Sequence, residues 1–301
     1  MSVLNFQCYS IAGHPIAISG GKELEIIENI PGFNVFAIAP TPCDLQIKFS
    51  EEVIPVDFTP FYTVDFGEGN YRCQLGKEGN DYRFSMVSTY QEQRYLSFSH
   101  SEGSTMMQLF LSEALRQTTT QEIADCIRFA LWTAVGMLLA PLQAMSIHSS
   151  TIAYKGKAVL FLGESGTGKS THTKLWLNNI ENTHLLNDDS PFLAIENGTA
   201  MVYGSPWSGK THCYHNVKLP IAGIVRLSQA PYNKIRRLSV LEAFGALQPS
   251  CPPGLSHDIF FTDKIVEMIS TDLQSVPLYH LACLPDADAA KLSCETIFPQ
   301  P

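Results

Sequence analysis

The stretch GESGTGKST occupies residues 163–171, near the middle of the 301-residue chain. Its spacing, G-x-x-x-x-G-K-[ST], acquires chemical meaning only when a buried strand precedes it and a helix follows. Both are predicted here. AVLFL, residues 158–162, is wholly apolar, as expected of a central strand covered on both faces. THTKLWLNNI, residues 171–180, has helix-like spacing, with Leu175, Leu177 and Ile180 apolar. The order strand, glycine-rich loop, helix therefore constrains this part of the chain to an α/β arrangement. The expected phosphate loop comprises Gly163, Glu164, Ser165, Gly166, Thr167, Gly168, Lys169, Ser170 and Thr171. Its glycines permit positive φ and close backbone approach. Consecutive N–H groups then form an anion nest, to which the helix N-terminus adds partial positive charge. Lys169 is expected to reach the β- and γ-phosphates of ATP, and Ser170 to offer its hydroxyl to Mg²⁺.

LLNDDSPFLAI follows, with Asn187, Asp188 and Asp189 after the apolar pair Leu185-Leu186. Carboxylates at a strand end beside such a loop are where magnesium is held. One acid, Asp188, can serve the metal; the other, Asp189, can accept a proton from an attacking hydroxyl. Asp-Asp-Ser-Pro also has turn composition, and it is the upstream loop that favours the catalytic reading. His148, in SIHSSTIAY, is a third candidate, although a lone His is more often structural. TIAYKGKAVLFLG, residues 151–163, reads as two strands joined across Lys155-Gly156-Lys157.

The length suggests about two domains. Hydrophobic residues make up 45% and charged residues 16%, and the net charge is −9. With no long basic run, a nucleic-acid partner is not expected. The eight cysteines, Cys8, Cys43, Cys73, Cys126, Cys213, Cys251, Cys283 and Cys294, form no C-x-x-C pair. They read as buried reduced thiols rather than a disulfide frame or zinc site. The N-terminus lacks a basic segment followed by a long apolar run, so no secretory signal is expected and the cytoplasm is the expected home. FALWTAVGMLLAPLQAM, residues 129–145, is uncharged for 17 residues, which is at the short limit for a bilayer span. Pro141 interrupts it, and Asp125 and Arg128 lie just before it. A buried helix over residues 121–139, capped from 118–120, is predicted instead of a membrane span.

Residues 1–115 have a different texture. FNVFAIA (33–39), LQIKFS (45–50), FYTVDF (61–66), YRCQLG (71–76), YRFSMVS (82–88) and RYLSFSH (94–100) are short and rich in aromatic and β-branched residues. Turn signals separate them at residues 40–42, 67–70 and 79–81. The pattern predicts an antiparallel meander, with a structural or substrate-presenting role. Beyond residue 115 the expectation is an α/β domain, α+β for the chain overall: helix 121–139, a nucleotide core at 145–215, and helices and a strand over 216–301.

The run IHSSTIAYKGKAVLFLGESGTGKST, continuing to LLNDDS, resembles the catalytic domain of the HPr kinase/phosphorylase family. It is also similar to the nucleotide core of ATP-dependent phosphoenolpyruvate carboxykinase. In the kinase family a His precedes the first strand, a glycine-rich loop follows the second, and an Asp-Asp pair comes after the helix. His148, residues 163–170, and Asp188 with Asp189 match those features in order. The resemblance implies ATP and Mg²⁺ binding and phosphoryl transfer to a hydroxyl. It makes Asp189 the base, gives Asp188 a metal role, and has His148 line the phosphate site. Family members form ring assemblies, so a homo-oligomer is part of the expectation. The resemblance covers residues 145–210 well and the remainder of the C-terminal part loosely.

There are departures. Where the kinase family carries a Glu-x-Arg-Gly-type signature, this chain reads VYGSPWSGKTHCYH, residues 202–215. That is closer to kinase-like proteins with a G-x-P-W-x-G stretch, often found beside bacterial peptide-modification genes. The acceptor is therefore a hydroxyl on a peptide, protein or small molecule rather than HPr by default. The lysine and histidine manganese ligands of a carboxykinase have no counterparts, which disfavours lyase chemistry. A non-catalytic nucleotide sensor is the rival from another class. Trp207 reads as a core plug or as part of a loop over the phosphates, with Ser205, Ser208 or Lys210 near the acceptor. Lys210, His212 and His215 also suit a solvated face. Lys234, Arg236 and Arg237 are candidate cations for transition-state charge. Ser239 with Glu242 has capping-box spacing. VPLYHLACL (276–284) predicts a strand, and DADAAKLSCETIF (286–298) a helix starting near Asp286.

Overall fold

A computed structural model describes residues 5–55, 57–66, 71–209 and 211–299. The expected turn at 67–70 and Lys210 lie outside these residues. The chain forms a mixed α/β fold that divides into two compact units. One contains the residues up to Leu142 together with His257–Phe261; the other contains Gln143–Ser256 and Thr262 onward.

The first unit is built on one nine-stranded sheet in the order β3-β1-β2-β4-β9-β8-β7-β6-β5. The strands are β1 (Asn5–Ile11), β2 (His14–Gly20), β3 (Ala37–Ile38), β4 (Leu45–Ser50), β5 (Thr59–Phe66), β6 (Tyr71–Glu78), β7 (Asp81–Ser88), β8 (Gln93–Ser101) and β9 (Met106–Leu111). From β5 to β9 neighbours pair antiparallel, as the alternating short strands predict. The sheet as a whole is mixed, not an antiparallel meander, because β2 pairs β4 and β4 pairs β9 in parallel. A parallel return needs a crossover longer than a hairpin. Between β2 and β4 it contains α1 (Lys22–Asn29), whose Leu24 and Ile27 are buried, and α2 (Phe33–Phe36).

The predicted strand at 33–39 is thus mostly a helical turn. Phe33 and Phe36 are both buried, and residues three apart share a face in a helix but point to opposite faces in a strand. After α3 (Glu113–Arg116), α4 (Thr120–Leu139) matches the predicted buried helix, with Thr119 accepting from the Glu122 N–H as its cap. It is long and apolar enough to cross a membrane, but its apolar window is mostly buried in the protein. It packs on α1, α3 and β8, all in the first unit. The expected break near residue 115 therefore does not match the division at Leu142.

The second unit also has a mixed sheet: β10 (Ala144–Ser146), β14 (Phe192–Glu196), β15 (Thr199–Tyr203), β16 (Lys218–Gln229), β12 (Lys157–Leu162), β11 (Ser149–Tyr154) and β13 (His184–Asp189), in that order. β18 (Leu278–Cys283) pairs with β16 in parallel and with β17 (Lys234–Arg237) antiparallel. The expected strand pair at 151–163 is present, turning on Lys155 at φ 48° and Gly156 at φ 72°. Positive φ at both central residues matches the twist of paired strands. α5 (Lys169–Asn179) and α8 (Ala287–Ile297) pack together, and Ile152, Val159, Phe161, Trp176, Val225, Leu281 and Ala290 are fully buried in the core cluster here. α6 (Val240–Leu247) begins at the predicted capping box, with both reciprocal bonds formed, and α8 begins at the expected Asp286 cap. α7 (Ile259–Ser275) starts within the first unit's segment and continues into the second unit from Thr262. No two cysteines are joined in a disulfide.

Candidate functional site

Strand register assembles the site. β11 pairs antiparallel with both β12 and β13, so β12 and β13 run the same way and their C-terminal ends emerge together. Ser149 lies opposite Leu162 on one side and Asp189 on the other; Ser150 lies opposite Asp188. Residues far apart in sequence therefore meet at one sheet end: the loop that leaves Leu162, the acids that close β13, and His148 just before β11. Asp188 and Asp189 belong to a strand, not to the turn their composition also allowed.

The glycine-rich loop is tightly folded. Gly163 has φ 152°, and a Cβ there would meet Thr167 Oγ1 at 2.4 Å, so no other residue fits without rearrangement. Thr167 closes the turn, with its N–H and hydroxyl both donating to the Glu164 carbonyl, at 3.2 and 2.8 Å. Gly168, in the left-handed region, stands before the first turn of α5. The Lys169 ammonium folds back and donates to the carbonyls of Gly163 at 2.8 Å and Glu164 at 3.2 Å. Burial pulls the Lys169 pKa below its usual value, while the nearby Asp189 and Asp188 charges oppose that shift.

The two acids have different settings. Asp188 is buried, and its Oδ1 accepts from the Ser150 hydroxyl at 2.6 Å and the Ser170 hydroxyl at 3.0 Å. Asp189 is more open. Its Oδ1 lies 3.5 Å from His148 Nδ1, and its Oδ2 accepts from the Ser190 hydroxyl at 2.7 Å. Burial pushes the Asp189 pKa up, but hydrogen bonds from His148 and Ser190 and the charges of His148 and Lys169 outweigh it. The net effect holds the carboxyl below its usual range.

Asn187 anchors this segment, a role the sequence did not reveal. Its Oδ1 accepts from the N–H groups of Asp189 and Ser190, at 3.0 and 2.9 Å. Its Nδ2 donates to the Trp207 carbonyl at 3.0 Å and to Ser205 Oγ at 3.3 Å. The Gly-Ser-Pro-Trp loop is thus bonded to the acidic strand end. Trp207 is buried with its ring centroid 5.9 Å from that of Phe192, so it does plug the core. Two residues on, Gly209 approaches the acids so closely that a Cβ would lie 2.7 Å from the Asp188 carbonyl and 3.3 Å from Asp189 Cβ. Ser205 is fully buried and donates to the Ser190 carbonyl at 2.6 Å; Ser208 donates to the Thr211 carbonyl at 2.6 Å. Ser150 and Ser190, absent from the sequence-based site, join Ser170 as hydroxyls that bond the two acids. For Ser150 the sequence offered only its place in IHSS beside His148, and for Ser190 its place directly after the Asp pair.

Other candidates lie apart. Lys234, Arg236 and Arg237 sit on β17, beyond β18 at the sheet edge. The Arg236 guanidinium is taken by Glu242, with contacts of 2.8 and 3.1 Å. His212 and His215 are exposed, with the His212 ring beside Tyr214.

No protein-family model and no curated protein matches the chain. Among solved structures, one that is similar is the HPr(Ser) kinase/phosphatase from Coxiella burnetii, at 14% identity and a TM-score of 0.28. The match covers 50% of this chain and 92% of that one. A kinase-like likeness at that score is weak.

Proposed function

We propose that the chain is an ATP- and Mg²⁺-dependent phosphotransferase that passes the γ-phosphoryl group to a hydroxyl on a peptide, protein or small molecule, in the cytoplasm. One observation carries this reading: the strand register that brings loop 163–169 and the Asp188-Asp189 pair to the same sheet end. The residues suit the implied groups. Ser170 Oγ and Asp188 Oδ1, 3.0 Å apart, are hard oxygen donors, and among the described residues no cluster of three or more His, Cys, Asp or Glu stands ready to hold a metal. Few protein ligands, with the rest from phosphate and water, is how magnesium is usually held. The Lys169 ammonium, spending its hydrogen bonds on loop carbonyls, has an obvious better acceptor in a phosphate oxygen.

Bound MgATP would supply the phosphoryl group and screen its charge. The chain's own residues do the positioning. Loop N–H groups and the α5 N-terminus bind phosphate oxygens. Asp189 accepts the proton of the acceptor hydroxyl, and His148 and Ser190 orient its carboxylate. An acid this strong is a weak base, but phosphoryl transfer passes through a loose transition state that asks mainly for placement and charge stabilisation. Asp189 is ionised at neutral pH and so accepts a hydrogen bond from the hydroxyl before transfer begins.

The test is titration calorimetry with MgATP together with γ-phosphoryl transfer to water as the simplest acceptor. Wild type is expected to bind MgATP. Lys169→Ala should weaken binding at least 10-fold. Asp189→Asn should bind within a few-fold of wild type and turn over about 10²-fold or more slowly. Folded wild type that binds no MgATP refutes the reading. Binding without turnover in either protein, with hydroxyl acceptors supplied, makes the chain a nucleotide sensor.

A further inference from the structure

Resting on that phosphotransferase reading, we infer that a cavity of about 550 Å³ on the far side of the glycine-rich loop from the acids receives the purine nucleoside of the bound nucleotide. Its size falls in the range of roughly 300–1,000 Å³ usual for small-molecule sites. One wall is the loop itself, Gly166 to Gly168, with Thr171 and His172 of α5. The opposite wall is formed where two parallel strands end: Leu227, Gln229 and Ala230 at the end of β16, and Cys283, Leu284 and Pro285 at the end of β18. All of these residues belong to the second unit. Ligands of open α/β sheets lie at the carboxyl ends of parallel strands, and this cavity sits at two of them.

The lining has the character a heterocycle needs. Leu175, Leu227, Leu284 and Pro285 offer apolar surface for a flat ring. Among the described residues no Asp, Glu, Lys or Arg lines the cavity, so the triphosphate, four negative charges, has no cause to enter it. Continuity with Gly166–Thr171 puts the cavity within one nucleotide's reach of Lys169. Gln229, exposed, is the one carboxamide in the wall among the described residues, and its Nε2 donates to the Gly166 carbonyl at 3.3 Å. A carboxamide carries both donors and an acceptor and can turn either way. Base recognition by a single rotatable amide predicts weak choice between adenine and guanine, with ATP and GTP bound within about 10-fold of each other.

The experiment compares MgATP with magnesium tripolyphosphate, which has the phosphates and no nucleoside. Ala230 is half-buried in the wall opposite the loop, so Ala230→Trp takes up space in the cavity while leaving the loop's own residues unchanged. The variant is expected to lose at least 10-fold in MgATP affinity and to bind tripolyphosphate as wild type does. A second measurement needs no variant. Cys283, partly accessible, is alkylated with a maleimide and the labelled peptide is quantified by mass spectrometry; MgATP should slow its labelling at least 5-fold and tripolyphosphate should not. If wild type binds both ligands but MgATP leaves Cys283 labelling unchanged, or folded Ala230→Trp binds MgATP normally, the cavity is not the nucleoside site and the phosphotransferase reading survives. If wild type binds neither ligand, both fall.

Discussion

Single residues set the chemistry and the stability of the second unit in separable ways. Gly209 shows the steric side. A methyl group at that position would press on the backbone of Asp188, which cannot yield as a flexible side chain would. Gly209→Ala is expected to displace the acidic pair; on the proposed phosphotransferase reading it lowers phosphoryl transfer more than nucleotide binding, measured as kcat against Kd. Ser293 shows the polar side. It is fully buried and accepts from Trp176 Nε1 at 2.9 Å, with His172 Nε2 at 3.2 Å. Ser293→Ala leaves a buried indole N–H without its partner, a cost of about 1–3 kcal/mol, to be read as a lower denaturant midpoint at unchanged slope. His172 itself makes a pH prediction. Burial pulls its pKa down from 6.5 to about 4. The unfolded chain therefore takes up this proton first as pH falls, so stability is lost between about 6.5 and 4 and the loss levels off below that. The difference amounts to about 3 kcal/mol. His172→Gln should remove that part of the acid sensitivity, checked by urea melts of both proteins from pH 7 to 4.

At the scale of elements, what could be read from the sequence and what could not have different physical causes. The β11–β12 hairpin, β4, α4, the capping box of α6 and the Asp286 start of α8 were legible because each carries its own local signal. Such signals are a positive-φ turn, an alternating or unbroken apolar run, or a side chain that satisfies a helix-end N–H. The glycine-rich loop and the Asp pair were legible for the same reason. The parallel pairing of β2 with β4, the helical turn at Phe33, and the whole of β16 and α7 were not. Their conformations are decided by distant partners, since Phe33 and Phe36 look like strand residues until the core they share is known. Asn187 was invisible for a related reason, because its partners Ser205 and Trp207 are brought to it only by folding. The Asp286 cap also holds Asn233 Nδ2 at 2.9 Å besides the Ala289 N–H. Asp286→Ala should therefore cost about 1–2 kcal/mol, with hydrogen exchange rising first in the opening turn of α8.

For the whole molecule, the net charge of −9 is an argument about partners rather than about the fold. The division into units is an argument about folding. The first unit is not one continuous stretch: it takes back His257–Phe261 from the middle of the second unit's sequence. Within it, the buried Tyr82 hydroxyl donates to Asp258 Oδ1 at 2.8 Å and the Tyr82 ring packs on Phe261 at 5.1 Å. A fragment ending at Leu142 lacks those partners and should melt well below the full chain or fail to stay monomeric, by circular dichroism and size-exclusion chromatography. Tyr82→Phe in the full chain should cost only about 1 kcal/mol, because the packing is retained. The same arrangement puts a clock on synthesis. After Leu142 has left the ribosome, roughly 120 more residues must be translated before Phe261 follows, which at about 5–20 residues per second is some 6–24 s. Throughout that interval Tyr82 faces an unfilled position, so the first unit waits, exposed to chaperones and proteases, for a short segment that arrives only when most of the second has been made.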